Sequence, residues 1–174
     1  MSKSSEFPYP RHSAYFDLII ILIIALSSVI IAVDLFGTSS YGFLAVCIVC
    51  LLFLVVFGIS PLLTSHEIVN RTLVLKRGLV FRAKIPLTNI DQIIRVQKGP
   101  VRRGVFFSIV RPELFVTSAR YNLIRLNLKR KQRFVWALGK KAEVVYFDVI
   151  DTDGLLRVLE NHIKSIRANQ FQEF

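Results

Sequence analysis

Two long apolar runs near the N-terminus constrain the fold more than any other feature of this sequence. Between Asp17 and Asp34 every residue is apolar except two serines, and residues 41–63 carry no formal charge. Each run has about the 20 residues that a helix needs to cross about 30 Å of hydrocarbon. We therefore predict a transmembrane helical hairpin over residues 15–63, with spans at about 15–36 and 41–63.

Two other interpretations of these runs fit the sequence less well. A cleaved signal peptide has a short apolar region followed by small residues, whereas here Leu35 and Phe36 follow the first run and a second run comes at once. A soluble pair of buried helices would need a second layer of structure, because both helices are apolar on all sides. A chain of 174 residues offers little to cover them.

The distribution of charge predicts the orientation of the hairpin. Of the 23 Lys and Arg residues, only Lys3 and Arg11 precede Asn70, and the connector around Gly37 has none. Positively charged flanks stay in the cytoplasm. We therefore expect a multi-pass protein of the cell membrane with both termini cytoplasmic and only the short connector outside.

The residues after the second run form short β-rich segments, which predict a mainly-β domain over residues 64–167. A turn at Arg77-Gly78 separates the first two strands, and glycine or proline breaks separate the later ones. The strand predictions are residues 72–75, 79–85, 90–96, 105–110, 114–118, 121–128, 134–138 and 144–149. About seven short strands with a turn every dozen residues favour a small barrel or sandwich.

The domain ends in a predicted helix at about residues 152–167. Asp151 and Thr152 offer side-chain oxygens for its N-terminus, and Leu155, Leu159 and Ile163 recur at helical spacing. This apolar stripe is expected to cover the open end of the barrel. Residues 1–14 and 168–174 are predicted to be polar tails, the first of them mobile.

The order of these elements resembles a known family. Thr64 and Glu67 lead into the first strand, the Arg77-Gly78 turn follows, and the segment Ile85–Ile90 (IPLTNI) enters the next strand. In these features the chain resembles the membrane-anchored pleckstrin-homology-like proteins of bacteria and archaea that carry two N-terminal transmembrane helices. The resemblance implies a bent sheet of about seven strands, plugged by the C-terminal helix, and it implies no particular activity.

The sequence offers little for catalysis. Ser65, His66 and Glu67 are adjacent, so in a strand they alternate in direction and cannot form a relay by themselves. The sequence has no phosphate-binding glycine motif, and its three histidines lack metal-ligand spacing. Cys47 and Cys50 lie inside the second span, where small-residue packing explains them. We therefore predict a protein that is not an enzyme and has no metal or cofactor.

Basic residues concentrated around two predicted turns are the strongest functional signal. From His66 onward the chain has 21 basic and 9 acidic residues, a net charge of +12. Long cationic side chains at turns can reach an anionic surface. The predicted contacts with anionic lipid or with a protein partner are Lys98, Arg102, Arg103, Lys129, Arg130, Lys131, Arg133, Lys140 and Lys141.

Several partners fit this basic domain. The leading hypothesis is a membrane-anchored binding or scaffold module that contacts anionic headgroups of the lipid bilayer, recruits a protein, or pairs with a second copy of itself. The alternative is a small accessory subunit of a larger transport or export complex, in which the polar residues Ser27 and Ser28 and the small residues Ala45, Cys47 and Gly58 face partner helices. Ordinary solvated turns would also explain the charges. Nucleic acid is disfavoured, because aromatic residues in strands are more often core residues than stacking platforms.

Overall fold

A computed structural model of the chain describes residues 5–100, 103–108, 110–134 and 139–172, with side chains as far as residue 165. Its contacts divide the chain into two compact units. One contains residues 11–64 together with the turn at residues 78–80. The other contains the described parts of residues 1–10, 65–77 and 81–174.

The first unit is the predicted pair of apolar helices. Helix α1 spans His12–Phe36 and helix α2 spans Tyr41–Phe53. Helix α2 continues as a wider π-helical segment, Leu54–Ile59, and a final 3-10 turn, Ser60–Leu63. When α2 and its continuation are taken as one helix, Tyr41–Leu63, both it and His12–Phe36 are long enough and apolar enough to cross a membrane.

The two helices approach each other closely at one glycine. A Cβ atom added at Gly58 would lie 2.8 Å from Cδ1 of Leu18 on α1, closer than two carbon atoms can pack. The thiol of Cys50 also faces α1, 3.9 Å from the Ala25 carbonyl. Between the helices, the Ser40 hydroxyl accepts a 3.1 Å hydrogen bond from the Phe43 backbone and caps α2.

The second unit begins with a four-stranded antiparallel sheet in the order β1-β2-β3-β4. Its strands are β1 (Ser5–Phe7), β2 (His66–Val69), β3 (Thr72–Arg77) and β4 (Phe81–Pro86). A two-residue turn joins β2 and β3, and both of its residues, Asn70 and Arg71, have positive φ angles of 48° and 59°. Such turns match the twist of the flanking strands.

Part of the predicted N-terminal tail is an edge strand of this sheet. Residues 5–7 pair antiparallel with β2, with Phe7 opposite His66. Phe7 is buried, and its ring joins the apolar core. The polar composition of residues 2–6 concealed a strand of three residues, because its partner is about sixty residues away in the sequence.

A five-stranded sheet follows, in the order β5-β8-β9-β7-β6. Its strands are β5 (Ile90–Lys98), β6 (Gly104–Phe107), β7 (Glu113–Thr117), β8 (Tyr121–Arg133) and β9 (Lys141–Asp148). The pair β7 and β9 is parallel, and the other pairs are antiparallel. Phe134, which was predicted to begin a strand, is buried outside any strand, and residues 135–138 lie outside the described residues.

The expectation of one seven-stranded sheet or barrel is therefore wrong. The described residues form two sheets, of four and five strands, and the sheets do not close into a barrel. The apolar core lies among residues of both sheets, with Leu75, Leu126 and Phe147 fully buried in it. Two open sheets can enclose such a core as a closed sheet would, so the alternating pattern alone did not distinguish them.

The C-terminal helix is present and docks by its predicted stripe. Helix α3 spans Thr152–Gln172, five residues beyond its predicted end. The Asp151 carboxylate accepts a 2.8 Å hydrogen bond from the Gly154 backbone and so caps the helix. Leu155 and Leu159 are fully buried in the core, and Ile163 packs against it. Helix α3 thus covers the core as predicted, although the core belongs to two sheets.

Candidate anion-binding groove

A groove in the second unit collects the densest basic run of the sequence. It has a volume of about 610 Å³ and lies between the end of β4 and the end of β8. One wall contains Pro86, Thr88 and Asn89, and the other is residues 129–133 of β8. The groove is therefore lined by cations and by neutral polar groups.

The basic run was expected in a turn, but it lies within a strand that is locally irregular. Strand β8 continues to Arg133, and its register against β9 advances five residues, from Asn127 to Gln132, while β9 advances two, from Val144 to Ala142. The extra residues bulge out of the ladder. The bulge turns Lys129 and Arg130 toward solvent, and both are exposed.

Asn89 holds the bulge in place. Its side chain accepts a 3.0 Å hydrogen bond from the Arg130 backbone nitrogen and donates a 3.2 Å bond to the Arg130 carbonyl. It also lies 3.4 Å from the Gln132 amide oxygen, and Gln132 in turn donates to the Lys84 carbonyl. Asn89 thus replaces the ladder partner that the bulge removes. Sequence reasoning missed Thr88, Asn89 and Gln132, because a neutral polar residue gives no charge signal.

The four cations of the groove differ in whether they already have a bonding partner. The Lys131 ammonium forms a 2.7 Å ion pair with Glu143, and Nε of Arg133 donates to the Gly139 carbonyl at 3.1 Å. Lys129 and Arg130 form no ion pair with the described residues. The residues that line the groove include four cations and no carboxylate, so the groove favours an anionic group. A guanidinium beside an ammonium is suited to a phosphate.

The other predicted contact residues lie elsewhere. Lys140 and Lys141 are exposed close to Arg133, since Lys141 is the ladder partner of Arg133, but they do not line the groove. Lys98 is exposed and pairs with Tyr121 at the opposite end of β8, about 26 Å along the strand from Lys129. Arg103 is exposed just before β6, and Arg102 lies outside the described residues. The nine predicted residues therefore do not form one site.

A buried polar cluster lies in the same unit but is closed to solvent. The His66 ring is 1% exposed, stacks on Tyr9 with centroids 5.3 Å apart, and meets the edge of Phe147. Its Nδ1 accepts a 3.2 Å hydrogen bond from the Lys76 backbone. Burial lowers the pKa of His66 to about 3, so the ring is neutral at pH 7. The Asp148 backbone opposes this shift, and Nε2 of His66 has no hydrogen-bond partner among the described residues.

Asp148 is the buried acid of this cluster. Its carboxylate accepts hydrogen bonds from the backbone nitrogen atoms of Ser118, at 2.9 and 3.0 Å, and of Ala119, at 2.6 Å. Burial raises the pKa of Asp148 to about 6, although these bonds and the charge of Arg77 act in the opposite direction. The carboxylate fixes the turn between β7 and β8, which is a structural role.

The geometry does not assemble a catalytic relay from the adjacent Ser65, His66 and Glu67. Glu67 pairs with the Lys76 ammonium at 2.6 Å, and the Ser65 hydroxyl lies 3.5 Å from the Glu6 carboxylate. Among the residues that the structure describes, no three His, Cys, Asp or Glu side chains come together as a metal site would require. The alternation expected of a strand thus separates the three side chains.

Three aromatic rings form a stack across the second sheet. Phe115 lies between Phe106, at 4.7 Å and 10°, and Tyr146, at 4.6 Å and 5°. The Arg125 guanidinium lies 5.8 Å from the centre of the Tyr146 ring. Both faces of Phe115 are therefore occupied by protein groups, and they are not available to stack on a nucleic acid base.

Comparisons with protein-family models, with curated proteins and with solved structures find no match to this chain. The features that bear on function are two helices that could span a membrane, followed by a mostly-β unit with a basic groove.

Proposed function

We propose that this chain is a membrane-anchored, non-enzymatic binding module whose groove takes the anionic headgroup of a phospholipid. The observation that carries the proposal is the groove itself, in which the cations of β8 face the polar side chains of Thr88 and Asn89. A headgroup phosphate would accept hydrogen bonds from Arg130 and Lys129, which have no ion pair among the described residues.

The links between helices and domain support a lipid ligand. Only residues 8–11 separate β1 from α1, and only Thr64 and Ser65 separate the second span from β2. Two extended residues reach about 7 Å, so a domain tethered to membrane-spanning helices stays near the headgroups. Near a membrane each Lys or Arg contributes about 1 kcal/mol of attraction to anionic lipid. The positive flanks of the helices favour the cytoplasmic leaflet.

The test is a titration of the full chain in micelles of an uncharged detergent. Short-chain phosphatidylglycerol and phosphatidylcholine are the two ligands, and binding is followed by calorimetry. We expect the anionic lipid to bind more tightly than the neutral one. Added salt should weaken that binding, because the Debye length, about 8 Å at physiological ionic strength, becomes shorter as salt is added. The full chain is needed because β1 would be lost from a domain cut at residue 65.

A matched pair of variants separates the groove from overall charge. The double variant Lys129→Gln, Arg130→Gln removes two charges from the groove, and we expect it to lose about 2 kcal/mol, or about thirty-fold in affinity. The control Lys98→Gln, Arg103→Gln removes two exposed charges outside the groove and should bind nearly as the parent does. Equal losses in the two variants, or equal affinity for both lipids, would contradict the proposal.

A second candidate function is that of an accessory subunit in a larger membrane complex. It is favoured by an apolar groove of about 500 Å³ on the helix pair, which includes the small residues Ala32, Ala45 and Cys50. Small residues allow another helix to approach closely. However, Gly58 already packs against Leu18 of the same chain, and the hydroxyls of Ser27 and Ser28 bond to their own helix. Copurification of a stoichiometric partner in mild detergent would favour this second function.

A further inference from the structure

We propose that Leu63, Leu79 and Val80 form an apolar tip that inserts into the interfacial layer of the lipid leaflet at the C-terminal end of the second span. All three belong to the helical unit, which contains the turn at residues 78–80. Leu63 is 79% exposed, Leu79 is 72% exposed and Val80 is 37% exposed. The proposal depends on the helices crossing a bilayer and is independent of the anion-binding groove.

Hydrogen bonds attach the turn to the end of the span. The Ser60 hydroxyl accepts a 3.0 Å bond from the Leu79 backbone, and the Thr64 hydroxyl accepts a 2.9 Å bond from the Gly78 backbone. Each hydroxyl also lies within bonding distance of a carbonyl of its own segment, Ser60 to Val56 and Thr64 to Pro61. The position of the turn is therefore fixed relative to the helix end.

Gly78 allows this close attachment. Its φ angle is +64°, which a side chain disfavours. A Cβ atom there would lie 2.7 Å from the Ser60 hydroxyl and 3.3 Å from the Pro61 ring. Ser60 and Pro61 are both buried. The backbone of the turn thus packs directly on the helix end and directs the next residue, Leu79, outward.

The length of the span places this tip near the membrane boundary. Tyr41–Leu63 has 23 residues, and a helix of that length is about 35 Å long, close to the hydrocarbon thickness of about 30 Å. Residues 60–64 and 78–80 carry no charged side chain. An uncharged, exposed apolar tip that continues the apolar surface of a span is suited to the boundary between acyl chains and headgroups, where burial of its side chains is favourable.

Depth-dependent fluorescence quenching tests the insertion. Trp136 is the only tryptophan, so Trp136→Phe gives a background in which Leu79→Trp reports alone. The full chain is placed in vesicles whose lipids carry bromine either near the glycerol end or near the methyl end of the acyl chain. We expect stronger quenching of the new indole by bromine near the glycerol end.

Leu52→Trp in the same background is the matched reference, since Leu52 is an exposed residue in the middle of the span. It should show the reverse order, with stronger quenching from the methyl end. The proposal is overturned if neither brominated lipid quenches the indole of Leu79→Trp and if aqueous iodide quenches it as fully as it quenches N-acetyl-tryptophanamide, a fully exposed indole. It is also overturned if Leu52→Trp escapes both lipids, because the span itself is then absent.

A second measurement covers poor folding of the tryptophan variants. Leu79→Cys in a background of Cys47→Ala and Cys50→Ala takes a bimane label at one position. In detergent-free vesicles the inserted label is in apolar surroundings. Its emission maximum should therefore lie at shorter wavelength than that of the same label on the urea-unfolded chain. An emission maximum equal to that of the unfolded chain would contradict insertion. Neither readout depends on the headgroup titration, so the tip and the groove can fail separately.

Discussion

His66 and Asp148 are buried groups whose pKa values shift in opposite directions, so removing each one should tilt the pH dependence of stability in opposite senses. Burial lowers the pKa of His66 from 6.5 to about 3 and raises that of Asp148 from 3.8 to about 6. Between pH 3.8 and 6, unfolding adds a proton at His66 and releases one at Asp148. The two contributions to the pH dependence therefore nearly cancel in the native protein.

The sign for each group follows from which state binds the proton. His66 is neutral in the folded state, whereas the unfolded state binds a proton below pH 6.5. The contribution of His66 to the free energy of unfolding is therefore complete above pH 6.5 and is lost as pH falls toward 3. The folded state retains a proton at Asp148, so stability falls as pH rises from about 4 to 6. At 1.36 kcal/mol per pH unit, the spans correspond to about 5 kcal/mol for His66 and about 3 kcal/mol for Asp148.

The assay is equilibrium urea unfolding of the full chain in detergent, followed by Trp136 fluorescence between pH 4 and 6. Relative to the parent, Asp148→Asn should gain stability with rising pH by about 1 kcal/mol per pH unit averaged over this range, and His66→Phe should lose it at a similar rate. The comparison of slopes removes the contribution of all other titrating groups and of the packing change itself. Slopes that match the parent in both variants would refute the burial argument.

Three further predictions concern the helix, the groove and the topology. Leu159→Asp would bury an unpaired charge and should lower the unfolding free energy by several kcal/mol, whereas exposed Glu160→Ala should change it by less than about 0.5 kcal/mol in the same urea assay. Asn89→Ala should free the Arg130 backbone and weaken phosphatidylglycerol binding. Thr88→Ala should weaken that binding less, because the Thr88 side chain makes no hydrogen bond with the described residues. A reporter fused after Phe174 should be active only in the cytoplasm, and activity only outside would contradict the orientation.

The local features of the fold were predictable from sequence, and the long-range ones were not. The apolar runs, the turn after Arg77 and the Asp151 cap each depend on neighbouring residues, and all three were found. The pairing of β1 with β2 joins Phe7 to His66 across almost sixty residues, which no local pattern records. Closure of a sheet depends on such distant pairings, so the barrel was predicted where two open sheets exist.

The candidate site was predicted only in its charges. The run from Lys129 to Arg133 was recognisable as basic, yet its position on a bulged strand depends on Asn89, which is 41 residues away from Arg130. Lys98 and Arg103 were grouped with that run by charge alone, and the length of β8 separates Lys98 from it. Charge density therefore indicated which segments are basic, and tertiary structure decided which of these residues line one groove.

The bulge changes what the basic run can do. On a mobile loop tip, four cations would offer a diffuse attraction that depends on charge count, and ordering their long side chains would reduce the gain from each contact. In this protein the Arg130 backbone is held by Asn89, and the Lys131 side chain is held by Glu143. Arg130 then projects from a backbone that Asn89 holds, so less backbone entropy is lost when its side chain binds an anion. A cation on a held backbone favours one bound phosphate group over a diffuse negative surface, which is why we propose the function for the groove and not for the net charge.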